Sequence, residues 1–141
     1  MAGRIFLPLR LVLSACAVSV LLISCSGPAT MRGSFPAVVD RIYFGRAIGD
    51  TATIADSSWR SFADDVLAPS LPNGFTTWKA EGQWRRGDGT VGREDSFVLE
   101  IVSRRGEEDM ASVLERIIHE YKRRFHQESV LHVRTFGVGK F

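Results

Sequence analysis

The sequence predicts a single α+β domain whose elements run β-α-β-β-α-β, preceded by a leader that does not belong to it. Three observations predict this. Short runs of alternating apolar residues recur along the chain, two segments carry apolar residues at helical spacing, and Asp88-Gly89 lies between two of the alternating runs as a tight turn. A chain of 141 residues has room for one such domain with a core of its own.

The leader comes first. "MAGRIFLPLR" carries Arg4 and Arg10 with no acid, and the apolar run "LVLSACAVSVLLIS" spans only 14 residues. That is short for a membrane span and right for the hydrophobic region of a signal peptide. The run closes in "LISC", Leu22 to Cys25, which resembles a bacterial lipobox. The rival "LSAC", ending at Cys16, leaves only five residues after Arg10, so Cys25 is the expected lipidation site. Residues 1–24 then form the signal peptide and residues 25–37, rich in Gly, Pro and Ser, a flexible tether. The domain follows over residues 38–141. Acyl chains on Cys25 make the membrane the first expected partner. Ser26, rather than Asp, after the cysteine favours the periplasmic side of the outer membrane in a Gram-negative host.

Removing Arg4 and Arg10 from the 18 basic residues leaves 16, against 16 acidic ones. A neutral domain offers no electrostatic case for nucleic acid. With Cys16 removed and Cys25 lipidated, no disulfide, thiolate nucleophile or cysteine metal site remains.

Within the domain, "DRIYFGRAI" reads as the first strand. Thr53 and Asp56 form a capping-box pair ahead of a helix whose apolar face is Trp59, Phe62, Ala63, Val66 and Leu67, ended by Pro69 and Pro72. "GFTTWKAEGQW" and "SFVLEIV" are the middle strands. The second helix carries Met110, Val113, Leu114, Ile117, Ile118, Tyr121 and Phe125 as one stripe. Glu107, Glu108 and Asp109 open it and Lys122, Arg123 and Arg124 close it, the charge order that the helix dipole favours. "SVLHVRTF" is the last strand.

A two-residue turn at Asp88-Gly89 pairs Trp84 with Arg93, Ala80 with Phe97 and Trp78 with Leu99, which places apolar residues on one face. The element order suits a ferredoxin-like sandwich, a four-stranded antiparallel sheet with two helices on one face. In this register the open face is polar: Lys79, Glu81, Gln83, Glu94 and Glu100 from the middle strands, His132 and Arg134 from the last, and Tyr43 from the first.

The segments "IYFGR", "EGQWRR", "VGREDS" and "YKRRFHQESVL" together resemble domain of unknown function family 3574, small exported bacterial proteins that often carry lipoprotein signals. The resemblance covers Ile42 to Val133. It implies recurrent polar positions at Gln83, Trp84, Arg93, Glu94, Tyr121, Gln127, Glu128 and Ser129, and no assigned activity.

The first candidate site is a polar pocket of Gln83, Arg93, Glu94, Gln127, Glu128 and Ser129, with Glu128 pairing Arg93. The second is Tyr43, Glu81, Glu100 and His132 on the open face. A metal set of Glu81, Glu100 and His132 is weaker than cross-strand ion pairing, and no metal or cofactor is expected. There is no GxSxG, P-loop, HExxH or dinucleotide-binding glycine motif. The expected function is therefore a non-catalytic lipoprotein that binds a small polar ligand or an envelope protein. The alternative is a small enzyme on a dimeric α+β barrel-like scaffold, and an apolar open face would favour it. Pairing of two copies through that face suits either reading.

Overall fold

The computed structural model describes residues 32–49, 52–85, 87–106 and 110–141. The stretch expected to be a signal peptide, Cys25, most of the expected tether, Arg86 of the hairpin and the acidic residues expected to open the second helix lie outside the described residues.

Strand β1 (Phe35–Gly45) leads through a small ladder, β2 (Ala47–Ile48) with β3 (Ala52–Thr53), into helix α1 (Asp56–Phe62). The helix widens into a π turn at Ala63–Leu67 and ends as α2 (Ala68–Ser70). Strands β4 (Thr76–Arg85) and β5 (Val91–Arg104), helix α3 (Met110–Phe125) and strand β6 (Leu131–Gly139) follow. The sheet order is β4-β5-β1-β6, with every neighbouring pair antiparallel. This is the ferredoxin-like arrangement.

The core joins Ile42 and Phe44 of β1 and Phe97, Leu99 and Ile101 of β5 to the helices. The expected helical stripes supply the other side: Trp59, Phe62 and Leu67 from the first helical run, and Leu114, Ile117, Tyr121 and Phe125 from α3. The Trp59 indole stacks on Phe97 with ring centroids 4.4 Å apart and planes 7° from parallel. Phe44 sits 4.5 Å from Tyr121, so these four rings tie both helices to the two central strands.

Several local expectations are corrected. β1 begins at Phe35, inside the stretch read as tether, because the Phe35 ring lies over Gly139 and stacks on Phe141. Thr53 is not the N-cap. It pairs with Ala47 in the small ladder, and Ala55 precedes the helix without a side-chain cap. Asp56 is held instead by Arg46 at 3.0 Å and Lys79 at 2.6 Å. Pro69 does not end the first helix, which continues to Ser70. The Ala68 N–H bonds the Ala63 carbonyl in the wide turn just before it, easing a proline ring that would crowd a regular α turn.

The largest correction is the hairpin register. Trp84 faces Gly92, Gln83 faces Arg93 and Glu81 faces Asp95, one residue away from the expected pairing. The connection is correspondingly longer, and the Asp88 carboxylate accepts hydrogen bonds from the N–H and hydroxyl of Thr90. A slip of one residue exchanges the faces of a strand. Lys79, Glu81 and Gln83 therefore lie on the helix side, where Lys79 reaches Asp56 of α1. Trp78, Ala80, Gly82 and Trp84 lie on the open side. Glu81 and Asp95 tolerate one another because both are exposed to water.

Candidate functional site

The corrected register changes the open face. Across all four strands, Leu131, Tyr43, Val98 and Trp78 stand in one row, an apolar band. Val39 and Val102 face each other further along, and the Arg41–Glu100 ion pair lies between. His132 and Arg134 belong to the opposite face. Both are bound there by Asp40, which is fully buried and takes His132 Nε2 at 2.6 Å and Arg134 Nε at 2.8 Å. The expectation of a charged open face is thus overturned. The Glu81, Glu100 and His132 set is not assembled, since Glu100 alone of the three stands on the open side.

Next to the apolar band the side chains become small. Gly45 faces Ser96, Ser96 faces Ala80, and Gly82 faces Glu94. Here a cleft of about 540 Å³ opens, lined among others by Tyr43, Gly45, Glu94, Ser96, Gln127, Glu128 and Ser129. Five of the sequence-predicted site residues meet in it: Tyr43 from the second candidate set, and Glu94, Gln127, Glu128 and Ser129 from the first. Gln83 and Arg93 do not. They face each other on the helix side of the sheet, and Arg93 lines a smaller hollow with Arg46, Glu94 and Asp95. Among the described residues, Arg93 and Glu128 form no ion pair.

Gly45 organises the cleft. A Cβ at this position would fall on the Glu94 carboxylate oxygen, with the carboxyl carbon 3.2 Å away and the Gln127 Oε1 3.5 Å away. The absent side chain is what lets the carboxylate and the carboxamide converge over the strand. The Gly45 carbonyl is also tied down, accepting a hydrogen bond from the Tyr121 hydroxyl at 2.9 Å. Burial pushes the Tyr121 phenol well above its ordinary value, with the nearby Glu94 charge adding and Arg46 opposing. Tyr121 is therefore a neutral donor, and it couples the floor of the cleft to the core.

The other wall is built by the end of α3. His126 takes a left-handed conformation, φ 54°, where a glycine usually stands. This turns the chain so that the Gln127 N–H reaches back to the Lys122 carbonyl at 3.1 Å. The Gln127 Nε2 then donates to the Ala47 carbonyl at 2.6 Å, which fixes its amide beside Glu94. None of the described residues lining the cleft is lysine or arginine, while Glu94 and Glu128 are both acidic. The electrostatics suit a ligand of net positive charge and disfavour a phosphate.

Sequence reasoning missed Gly45 and Ser96. The signal for Gly45 was present, since a glycine ending an alternating strand marks a bulge or a close approach.

Residues 39–141 match the family described as "Protein of unknown function (DUF3574)". The chain belongs to that family. The motif "IYFGR", which helped carry the resemblance, has a clear place in the fold: Ile42 and Phe44 face the core, Tyr43 and Gly45 the cleft, and Arg46 holds the Ile54 carbonyl and Asp56. No curated protein matches the chain. Among solved structures it is similar to a phage SAM lyase in complex with S-methyl-5'-thioadenosine, at 18% identity and TM-score 0.53, covering 74% of this chain and 90% of that one. The apo state of a phage SAM lyase matches at 20% identity and TM-score 0.53, covering 79% and 87%. At these identities the likeness is one of fold. Both of those neighbours are lyases by their descriptions, and the open face of this chain carries an apolar band. The expectation of a non-catalytic binding domain, which leaned on a charged face, is corrected in favour of an enzyme-like scaffold.

Proposed function

We propose that this domain is a small enzyme whose active site is the Gly45 cleft, and that its substrate is a small molecule with a cationic centre. The observation that supports this most is the Glu94 carboxylate held over Gly45 in a cleft with two acids and no lysine or arginine among its described lining residues. Sulfonium nucleosides are the class to test first. Their cation suits Glu94, and a flat base suits the half-buried Tyr43 ring in the cleft wall, with the exposed Trp78 further along the same row.

The chemistry constrains the role of Glu94. When a sulfonium C–S bond breaks, the sulfur leaves as a neutral thioether carrying the bonding pair. A carboxylate resting against the sulfonium stabilises the reactant more than a transition state in which that charge is fading. Glu94 therefore accelerates the reaction as a base, accepting the proton lost from the carbon next to the one that releases sulfur, so that elimination leaves a neutral thioether and an alkene. General-base assistance is worth about 10²–10⁴-fold. Gln127 and Tyr121 are positioning residues, the first beside the carboxylate and the second beneath Gly45.

The test is incubation with S-adenosylmethionine and chromatographic detection of S-methyl-5'-thioadenosine, for the parent and for Glu94→Gln. Release by the parent and its loss in the variant, even at S-adenosylmethionine concentrations that saturate the weakened site, is expected. Equal turnover by both removes Glu94 from the chemistry, and absence of binding by either compound removes the substrate class.

The lipid anchor is part of the same reading. The Leu22–Cys25 motif and the short apolar run behind Arg4 and Arg10 support export and acylation at Cys25, with the outer membrane's periplasmic side as the location in a Gram-negative host. No helix among the described residues is long and apolar enough to cross a membrane. Nine residues lie between Cys25 and the start of β1, a reach of at most roughly 30 Å. Cys25→Ser should move the chain from the membrane to the soluble fraction; retention in the membrane would count against acylation.

A further inference from the structure

The two edge strands of the sheet are treated differently. β4 has Lys79, Glu81 and Arg85 along it, charges of the kind that discourage edge-to-edge pairing. β6 has neither lysine nor proline between Leu131 and Gly139. Its two polar long side chains do not guard the edge, because Asp40 holds both His132 and Arg134 against the helix side of the sheet. No residue of β6 is buried. Leu131 and Val133 are 59% and 38% exposed on the open face, and Phe136 and Val138 are 68% and 54% exposed on the other. Among the described residues no strand pairs with the outer edge of β6, and exposed apolar residues stand on both its faces, Phe136 with Arg105 over its ring; such a strand is a docking surface.

We infer that β6 pairs antiparallel with β6 of a second copy of this chain, about a two-fold axis through Thr135, making one continuous eight-stranded sheet. The strand is complementary to itself in this register. Thr135 meets Thr135, Val133 meets Gly137, Leu131 meets Gly139, Arg134 meets Phe136, and His132 meets Val138. Each opposed pair shares a face, no like charges are opposed, and Arg134 gains an aromatic partner. Gly137 has open space above it, with no heavy atom within 4 Å of where a Cβ would stand, and Val133 of the second copy fills that space. Self-complementarity of one patch is what a two-fold interface requires.

The interface is tested independently of any activity by disulfide cross-linking of the full chain in extracts of the cells that make it. Opposed residues in an antiparallel pair have Cα atoms about 4.5–5.5 Å apart, within disulfide range. Thr135→Cys should give a covalent dimer on a non-reducing gel, whereas the parent and Thr77→Cys on β4 should not. No dimer with Thr135→Cys, or an equal one with Thr77→Cys, overturns the inference. Thr135→Arg brings two like charges together on the axis, and should halve the mass measured by light scattering. An unchanged mass in a folded Thr135→Arg chain also overturns it.

Discussion

Asp40 offers the sharpest test of how the sheet is held together. β6 contributes no buried residue, so its attachment rests on the ladder to β1 and on the Asp40 clamp. Asp40 is fully buried, and three hydrogen bonds reach its carboxylate, one from His132 and two from Arg134. In Asp40→Asn the shape survives, but the new amide N–H groups point at the donors of Arg134. Removing one partner of a fully buried ion pair costs about 3–5 kcal/mol. Here His132 and Arg134 are each about one-third exposed and can turn to water, so the cost falls below that range, to about 2–3 kcal/mol. For a domain of this size that lowers the melting temperature by about 10 °C or more. The assay is a circular dichroism melt at pH 7 with amide exchange on β6, whose N–H groups should lose protection first. A variant that melts with the parent, with β6 protection intact, would refute the clamp.

Gly45→Ala should separate stability from activity. The new methyl displaces the Glu94 carboxylate, a flexible side-chain end, so the melt shifts by less than about 1 kcal/mol while turnover falls about 100-fold or more. Trp59→Ala removes the stack on Phe97 and should cost about 3–5 kcal/mol, measured by urea unfolding. The domain should also lose stability in acid. The hydrogen bond from Lys79 outweighs desolvation and holds the Asp56 carboxyl below its ordinary value. A carboxyl depressed in the folded state contributes stability above its unfolded pKa and loses that contribution as pH falls through the folded one. The decline therefore begins below about pH 4, and Lys79→Met should flatten it in melts taken from pH 6 to pH 2.

The helices were legible in the sequence, because Trp59, Phe62 and Leu67 and then Leu114, Ile117, Tyr121 and Phe125 repeat at one period against a single buried surface. The central strands were legible for the same reason. β4 was not. The helices leave it exposed along both faces, so nothing forces its apolar residues inward, and Trp78 and Trp84 point to the open side. The deciding feature is Gly92, where a Cβ would stand 2.6 Å from the Trp84 ring. The indole needs a glycine opposite it, and only the slipped register supplies one. The same slip moved Gln83 away from the cleft. Arg93 lies on the helix side by the parity it shares with Phe97 and Leu99. Glu94, Gln127, Glu128 and Ser129 stayed together because the chain leaving α3 passes beside the Gly45 end of β1.

The cleft itself is tested most directly by binding. Calorimetric titration of the parent, Glu94→Gln and Gln83→Ala with S-adenosylmethionine places the cationic site. The account predicts binding by the parent, at least tenfold weaker binding by Glu94→Gln, a loss of about 1.4 kcal/mol, and no change for Gln83→Ala, which lies on the other face. Undiminished binding by Glu94→Gln, or a loss confined to Gln83→Ala, would contradict it.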